Sequence, residues 1–599
     1  MCHARAVDDA GAAGPADATS GPARSAGVGR VVARVVAVVA VLLALVVGWL
    51  AFRAWQAVTA LQDAQEIVAD LGLDTASTGA SAVDLARLHD ATTTAAAAAS
   101  DPVWRAAEVV PWAGDQLEAV RVVATSLDAV VGDALPAVDD LRSLLDGGLR
   151  GADGRFDVAA VRSATGRVAT AAATTADARA QVGALDPDAL VGPLANPVRE
   201  VQDVLVRADA ALGPAGQVAG VLPAMLGGDG PRTYLVLALN TAELRAAGGI
   251  VGTVVAVQVD DGAVTMTDRR TTVDLPPLDE PVVPLTEEEL GAWGNRLGRW
   301  VQNSVLTPDF PRTAELVAAR WARDVGGTVD GVVATDTVAV GGLVAATGPL
   351  PDPDGGTLDG AGLVTALLRE AYVRHPDAAG SDAYFGAVAG SLVEALGAGT
   401  GSAHALLDAG RTAVDERRVR VWSAHPDEQA RLAATAAGGA FTSAAFADQP
   451  GLFLDDATQG KIGAYLTTDV TFRDARCTGP DPSVTAVLRL DFRPPAGVES
   501  WSRLVTGFPG EQVALGTLLT TVSVWSAQDG PPLVVTRDGA PATGSVTSLA
   551  GRTVQQIGSV LEAGQVQEFA LVLPLRDGAV TLWTTPTLTS PGVAAFHCG

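Results

Sequence analysis

No charged side chain interrupts the run VVAVVAVLLALVVGWLAF from Val35 to Phe52, and Arg34 and Arg53 flank it. Its length approaches the ~20 residues a helix needs to cross a bilayer's hydrocarbon core. A transmembrane helix is therefore predicted over residues 30–53. Arg24, Arg30 and Arg34 precede the run, and after Arg53 the next basic residue is Arg87. That asymmetry places the N-terminus in the cytoplasm and the rest of the chain outside. A cleaved signal peptide is the competing reading. It fits less well, because the run exceeds the usual length of roughly 7–15 residues and no small-x-small site follows it. Residues 1–29, rich in Ala, Gly, Asp and Ser without periodicity, read as a disordered cytoplasmic tail.

Beyond the anchor the period becomes helical. In DQLEAVRVVATSLDAVVGDAL, Leu117, Val120, Val123 and Leu127 recur at intervals of three and four, the spacing of one helix face. Pro102, Pro111, Pro136, Pro187, Pro193 and Pro197 are expected to divide residues 54–225 into several helices of a bundle or stalk. Over 226–465 strands and helices alternate. YLVLAL is an uninterrupted apolar run, and IVGTVVAVQV leads into a DDG turn. PDFPRTAELVAARWARDVGG starts on a proline and stops at Gly326-Gly327, and Thr335-Asp336-Thr337 is suited to capping the next helix. This predicts an α/β domain with a mixed sheet. SVTAVLRLDF, GTLLTTVSVW, LVVTRD, QEFALVLPL and AVTLWTTP then read as short strands between turns, and predict an antiparallel β-sandwich over 466–599. The fold class is thus multidomain: transmembrane helix, α-helical bundle, α/β domain and C-terminal β-sandwich.

Composition narrows the function. The net charge of −27 opposes binding to nucleic acid phosphates, which basic patches carry. With 48% hydrophobic and 18% charged residues, the chain can bury enough apolar surface to fold. Cys477 and Cys598 fall on the outer side, where disulfides persist, and a bridge between them is expected; Cys2 falls on the cytoplasmic side.

Candidate chemistry concentrates in NTAELRAAGG, between two buried strands. Asn240, Glu243 and Arg245 would lie at one end of the sheet, where α/β proteins tend to hold ligands, and Gly248-Gly249 would let the backbone turn or let a ligand approach. Either Glu243 and Arg245 form an ion pair that stitches the loop to the sheet, or Arg245 holds an anionic group that Glu243 orients. Three of the chain's four Asn residues, Asn240, Asn295 and Asn303, fall in this domain. Lys461 is the only Lys, a sign that its compact ammonium does something Arg would not. The His residues never pair at metal-ligand spacing, so no metal site is expected, and neither a G-x-S-x-G nor a P-loop occurs. Counted from Asp352 in DPDGGTLDG, the twelfth position, where a calcium loop needs its Glu, is Leu363, so the stretch reads as a turn and a helix cap.

YLVLALNTAELRAAGGIVGTVVAVQVDDG, then PDFP with its helix, VDGVVATDTVAVGGLVAATGPL and DDATQGKIGAYL together resemble bacterial domain-of-unknown-function family 4012, over roughly 230–470. The resemblance implies a membrane-anchored protein, often actinobacterial, associated with envelope or exopolysaccharide genes and without an assigned activity. VDGVVATDTVAVGGLVAATGPL is also distantly similar to LytR-CpsA-Psr phosphotransferases, which attach polyprenyl-pyrophosphate-linked glycans to the cell wall. That similarity implies an Arg245 on pyrophosphate, with Arg269, Arg270 or Asp274 nearby and Mg²⁺ as cofactor. The later helix departs from those enzymes: it reads SDAYFGAVAGSL, without their arginines.

The expectation is a single-pass envelope protein without a cofactor. Asn240, Glu243, Arg245, Gly248, Gly249 and Lys461 would bind an anionic glycan or polyprenyl-linked intermediate in surface polysaccharide assembly or export. A phosphotransferase and a non-catalytic stalk are the alternatives.

Overall fold

The computed structural model describes residues 26–71, 82–147, 149–151, 153–397, 400–510 and 513–598. Residues 1–25 of the expected tail lie outside this set, and 26–29 already belong to the first helix. The chain divides into two compact units, residues 1–131 with 180–202, and residues 132–179 with 203–599. The helical region expected as one bundle over 54–225 is therefore split between them.

In the first unit, α1 (Ala26–Leu71) contains the one stretch, among the described residues, long and apolar enough to cross a membrane, Val31–Ile67. It is compatible with a membrane anchor and continues without a break past the expected boundary at residue 53. Small side chains let α1 and α2 (Ala82–Ala99) approach closely: Ala60, Ala95, Ala99 and Ala124 are buried around Trp104 of α3 (Pro102–Ala107). The indole of Trp104 donates to the Leu117 carbonyl at 3.0 Å in α4 (Ala113–Gly147). Pro102 opens a helix as expected, but Pro136 lies inside α4. A proline removes one backbone hydrogen bond, and the remainder of so long a helix carries through. After α5 (Val158–Gly183), Pro193 sits in the first turn of α6 (Gly192–Met225), a helix start as expected, whereas Pro197 lies within that helix.

The second unit contains the sheets. β1 (Arg232–Asn240), β2 (Ile250–Asp260), β3 (Ala263–Thr271) and β4 (Gly331–Asp336) join a later strand, Val419–Ser423, in the order β3-β2-β1-β4 and then that strand. β1 runs parallel to β4 and antiparallel to β2, so the sheet is mixed. Leu235, Leu237, Val254 and Val332 of the sheet pack against Phe310, Val317 and Trp321 of the helix Phe310–Asp324. Asp336 caps the helix Thr337–Thr347 by accepting from the Ala339 amide at 2.8 Å, as its sequence position implies. In DPDGGTLDG, Asp352 accepts from the Asp354 amide and Asp359 from the Gly362 amide, a turn and a cap.

Two more sheets follow. One orders Ala540–Pro541, Val535–Arg537, Val566–Pro574, Ser483–Phe492 and Leu466–Arg476; the other orders Ser545–Leu549, Arg552–Leu561, Leu518–Trp525, Gly451–Asp456, Ala579–Thr584 and Val593–His597. They share a core in which Val484, Leu488, Phe569 and Leu571 of the first meet Leu452, Leu454, Val522 and Ile557 of the second. Two features differ from the sequence reading. Gly451–Asp456, which falls before the boundary expected at 466, is a strand of the second sheet, and it pairs in parallel with Ala579–Thr584. The strand is buried at every position, so its apolar run fits either module, and its partners come more than sixty residues later. The expected disulfide joins Cys477 to Cys598, across a sequence separation of 121, at the ends of edge strands from the two sheets. Phe472 and Phe596 lie beside it with ring centroids 5.7 Å apart. Cys477→Ser is expected to lower stability by about 2–4 kcal/mol, the usual cost of losing a long-loop disulfide. Unfolding of the wild type and variant with and without reductant checks this: the two must differ only without it.

Candidate functional site

NTAELRAAGG is a loop whose residues 241–249 are all buried, an uncommon position for a connection between strands. Its backbone groups must therefore find partners inside the protein. Asn240 begins the turn: its Oδ1 accepts from the Ala242 amide at 3.0 Å and its Nδ2 bonds the Tyr372 hydroxyl. The Leu244 carbonyl accepts from the Asp456 amide at 2.8 Å, and the Ala246 amide donates to Asp455 Oδ1 at 3.0 Å. The loop thereby joins the mixed sheet to the end of strand Gly451–Asp456. The two glycines serve packing. Gly248 has φ +111°, and a Cβ there would lie 2.8 Å from Pro586; at Gly249 it would lie 2.5 Å from the Asn240 carbonyl group.

Glu243, Arg245 and Lys461 come together. Arg245 Nη2 bonds Glu243 Oε1 at 3.0 Å, and Lys461 Nζ bonds Glu243 Oε2. Arg245 Nη1 is also committed, donating to the carbonyls of Leu244 at 2.9 Å and Asp456 at 3.0 Å. Burial pushes the Glu243 carboxyl up, but the charges of Lys461 and Arg245 outweigh it and hold the group below its ordinary value. Burial alone would lower the Lys461 ammonium, which Glu243 instead holds above its ordinary value. The ion-pair reading of this loop thus describes what these side chains do.

Two further carboxyls complete the cluster. Burial pushes Asp455 up to about 7 against the opposing pull of Arg245. Asp456 is likewise pushed up to about 7, by burial and then by the negative charge of Glu243. With Arg245 and Lys461 positive and Glu243 negative, one more negative charge balances the set. Asp455 and Asp456 together therefore retain about one proton near neutral pH.

Beside this cluster lies a cleft of about 530 Å³, within the size range of small-ligand sites. Glu243, Arg245, Asp455 and Asp456 line it, together with Trp293, Trp300, Gln302 and Asn303 from one segment, and Gln459 and Gln556 from the C-terminal region. Trp300 is half-buried, and the Arg299 guanidinium, itself not part of the lining, sits 4.5 Å from its ring centroid. Asp456 Oδ2, Gln302 Oε1 and Arg245 Nε are shielded and find no hydrogen-bond partner among the described residues. Such orphaned polar atoms are uncommon in folded proteins and mark places where a water or ligand belongs.

Other candidates lie elsewhere. Gly248, Gly249, Asn240 and Lys461 do not line the cleft. Neither do Arg269, which reaches the Asp382 carbonyl, Arg270, paired with Asp268 at 2.8 Å, nor Asp274, which accepts from the Thr271 amide and hydroxyl. No group of three His, Cys, Asp or Glu able to hold a metal occurs among the described residues. The sequence reading passed over Trp293, Trp300, Gln302, Asp455 and Asp456. A signal was present in GAWGNRLGRWVQN, where two Trp, two Asn and a Gln crowd into a chain otherwise dominated by Ala and Val.

Residues 229–372 match the model of a family described as a protein of unknown function, DUF4012. The matched segment is shorter than the 230–470 over which the sequence resembles that family. It includes Glu243, Arg245 and the Trp293–Asn303 side of the cleft, whereas Asp455, Asp456 and Lys461 lie beyond it. No curated protein matches the chain.

Proposed function

We propose that the chain is a single-pass envelope protein, its N-terminus cytoplasmic and the residues after about 54 outside, that binds a glycan in surface polysaccharide assembly or export. The observation that carries this reading is the cleft: a half-buried indole next to carboxyl and amide side chains, with acceptors left unpartnered. Aromatic faces take the C–H face of a sugar ring, while carboxylates and amides take its hydroxyls. The arginine asymmetry around α1 supports the orientation. Phosphotransfer is the weaker reading. It needs Arg245 free for pyrophosphate, and that guanidinium already serves Glu243 and two carbonyls.

The test is an array of neutral and acidic bacterial oligosaccharides probed with the detergent-solubilised full chain. Wild type should retain a subset of them, and Trp300→Ala should weaken that retention tenfold or more, about 1.4 kcal/mol. An array that retains nothing, or a variant that binds like wild type, contradicts the proposal.

A further inference from the structure

We infer that the sugar recognised in this cleft is an uncharged, hydroxyl-rich ring rather than an anionic residue or a phosphate; the inference rests on the glycan reading above. Three carboxyl side chains and two guanidinium groups line the cleft. Arg245 is neutralised by Glu243, and only its shielded Nε lacks a partner. Arg296, the other guanidinium, is exposed and its Nε donates to the Trp293 carbonyl at 3.1 Å. An entering anion would therefore meet Glu243, Asp455 and Asp456, with Arg245 committed to Glu243 and only the exposed Arg296 to set against three carboxyl groups, and desolvating a weakly compensated charge is costly.

Of the three unpartnered atoms, two point the same way, and the third, Arg245 Nε, is a single donor that a hydroxyl oxygen can satisfy. Gln302 Oε1 is an acceptor, and Asp456 Oδ2 is an acceptor whenever it carries no proton. Both call for donors. Sugar hydroxyls supply donors, whereas a phosphate diester or a uronate carboxylate supplies none at its charged group. Asn303, Gln459 and Gln556 add amides, which can both donate to and accept from hydroxyls. Trp300 offers a flat indole surface of the kind that takes the C–H face of a sugar ring.

The closing experiment is titration calorimetry on the detergent-solubilised full chain. The neutral probes are maltotriose, cellotriose, mannotriose and galactotriose; the anionic ones are trigalacturonate and inorganic pyrophosphate. At least one neutral trisaccharide should bind ten times more tightly than either anion. Trp300→Ala should lose that binding, and Trp300→Phe, which keeps a ring, should retain most of it. Preference for trigalacturonate would overturn this inference and leave the glycan reading standing. Preference for pyrophosphate, or no binding to any probe, would overturn both.

Discussion

Glu243→Gln is expected to lower the stability of the folded chain by about 3–5 kcal/mol, the cost of breaking a buried ion pair from one side. The carboxylate is the common partner of Arg245 and Lys461, and all three lie where water does not reach freely. Removing its charge leaves two buried cations. Asp456 can give up its proton and return part of the lost negative charge, which favours the lower end of the range. Lys461→Met alone should also destabilise, because Glu243 then loses one of its two cations. The double variant should be more stable than the sum of the single losses implies, since neither partner is left behind. Chemical unfolding of the four proteins measures this. Single and double losses that simply add would mean the three side chains do not act as one set.

The stability this cluster contributes should fall as pH rises from about 4 to about 7, and Asp456→Asn should remove the part of that slope that belongs to Asp456, leaving the part that belongs to Asp455. The folded protein retains about one proton on Asp455 and Asp456 up to about 7, whereas an unfolded Asp loses its proton near 3.9. Between those values the folded state binds more protons than the unfolded state. Their contribution is thus complete below the unfolded value and is lost as pH climbs through the folded one. For one proton over about three pH units this amounts to about 4 kcal/mol at most. Asn, which has no proton to lose, should make the variant more stable than wild type at pH 8 and closely similar at pH 5. Because every other carboxyl is common to both proteins, the difference between the two curves isolates Asp456. Parallel curves would contradict the charge balance assigned to this cluster.

The parts of the fold that depend on neighbouring residues were legible in the sequence. Asp336 capping its helix, the two strands around NTAELRAAGG and the apolar run of α1 all express local periodicity or turn chemistry. Lys461 is a longer-range case: its solitary position in an Arg-rich chain pointed to a particular partner, and its ammonium reaches Glu243, more than two hundred residues earlier. Gly248 and Gly249 suggested close approach, and what approaches is Pro586 and the Asn240 backbone. The cleft was not legible, because it forms only when the Trp293–Asn303 segment meets Asp455 and Asp456 of another sheet. The buried Arg245 was misleading in the same way, since sequence alone does not show that its donors are already committed.

The most direct test of the cleft as a glycan site is thermal unfolding of wild type and Trp300→Ala, each with and without the oligosaccharide retained most tightly on the array. At one hundred times its dissociation constant the sugar should stabilise wild type by about 2.7 kcal/mol. It should leave Trp300→Ala nearly unshifted from that variant's own sugar-free stability. Equal stabilisation of both proteins would contradict the account and move the binding site away from this cleft.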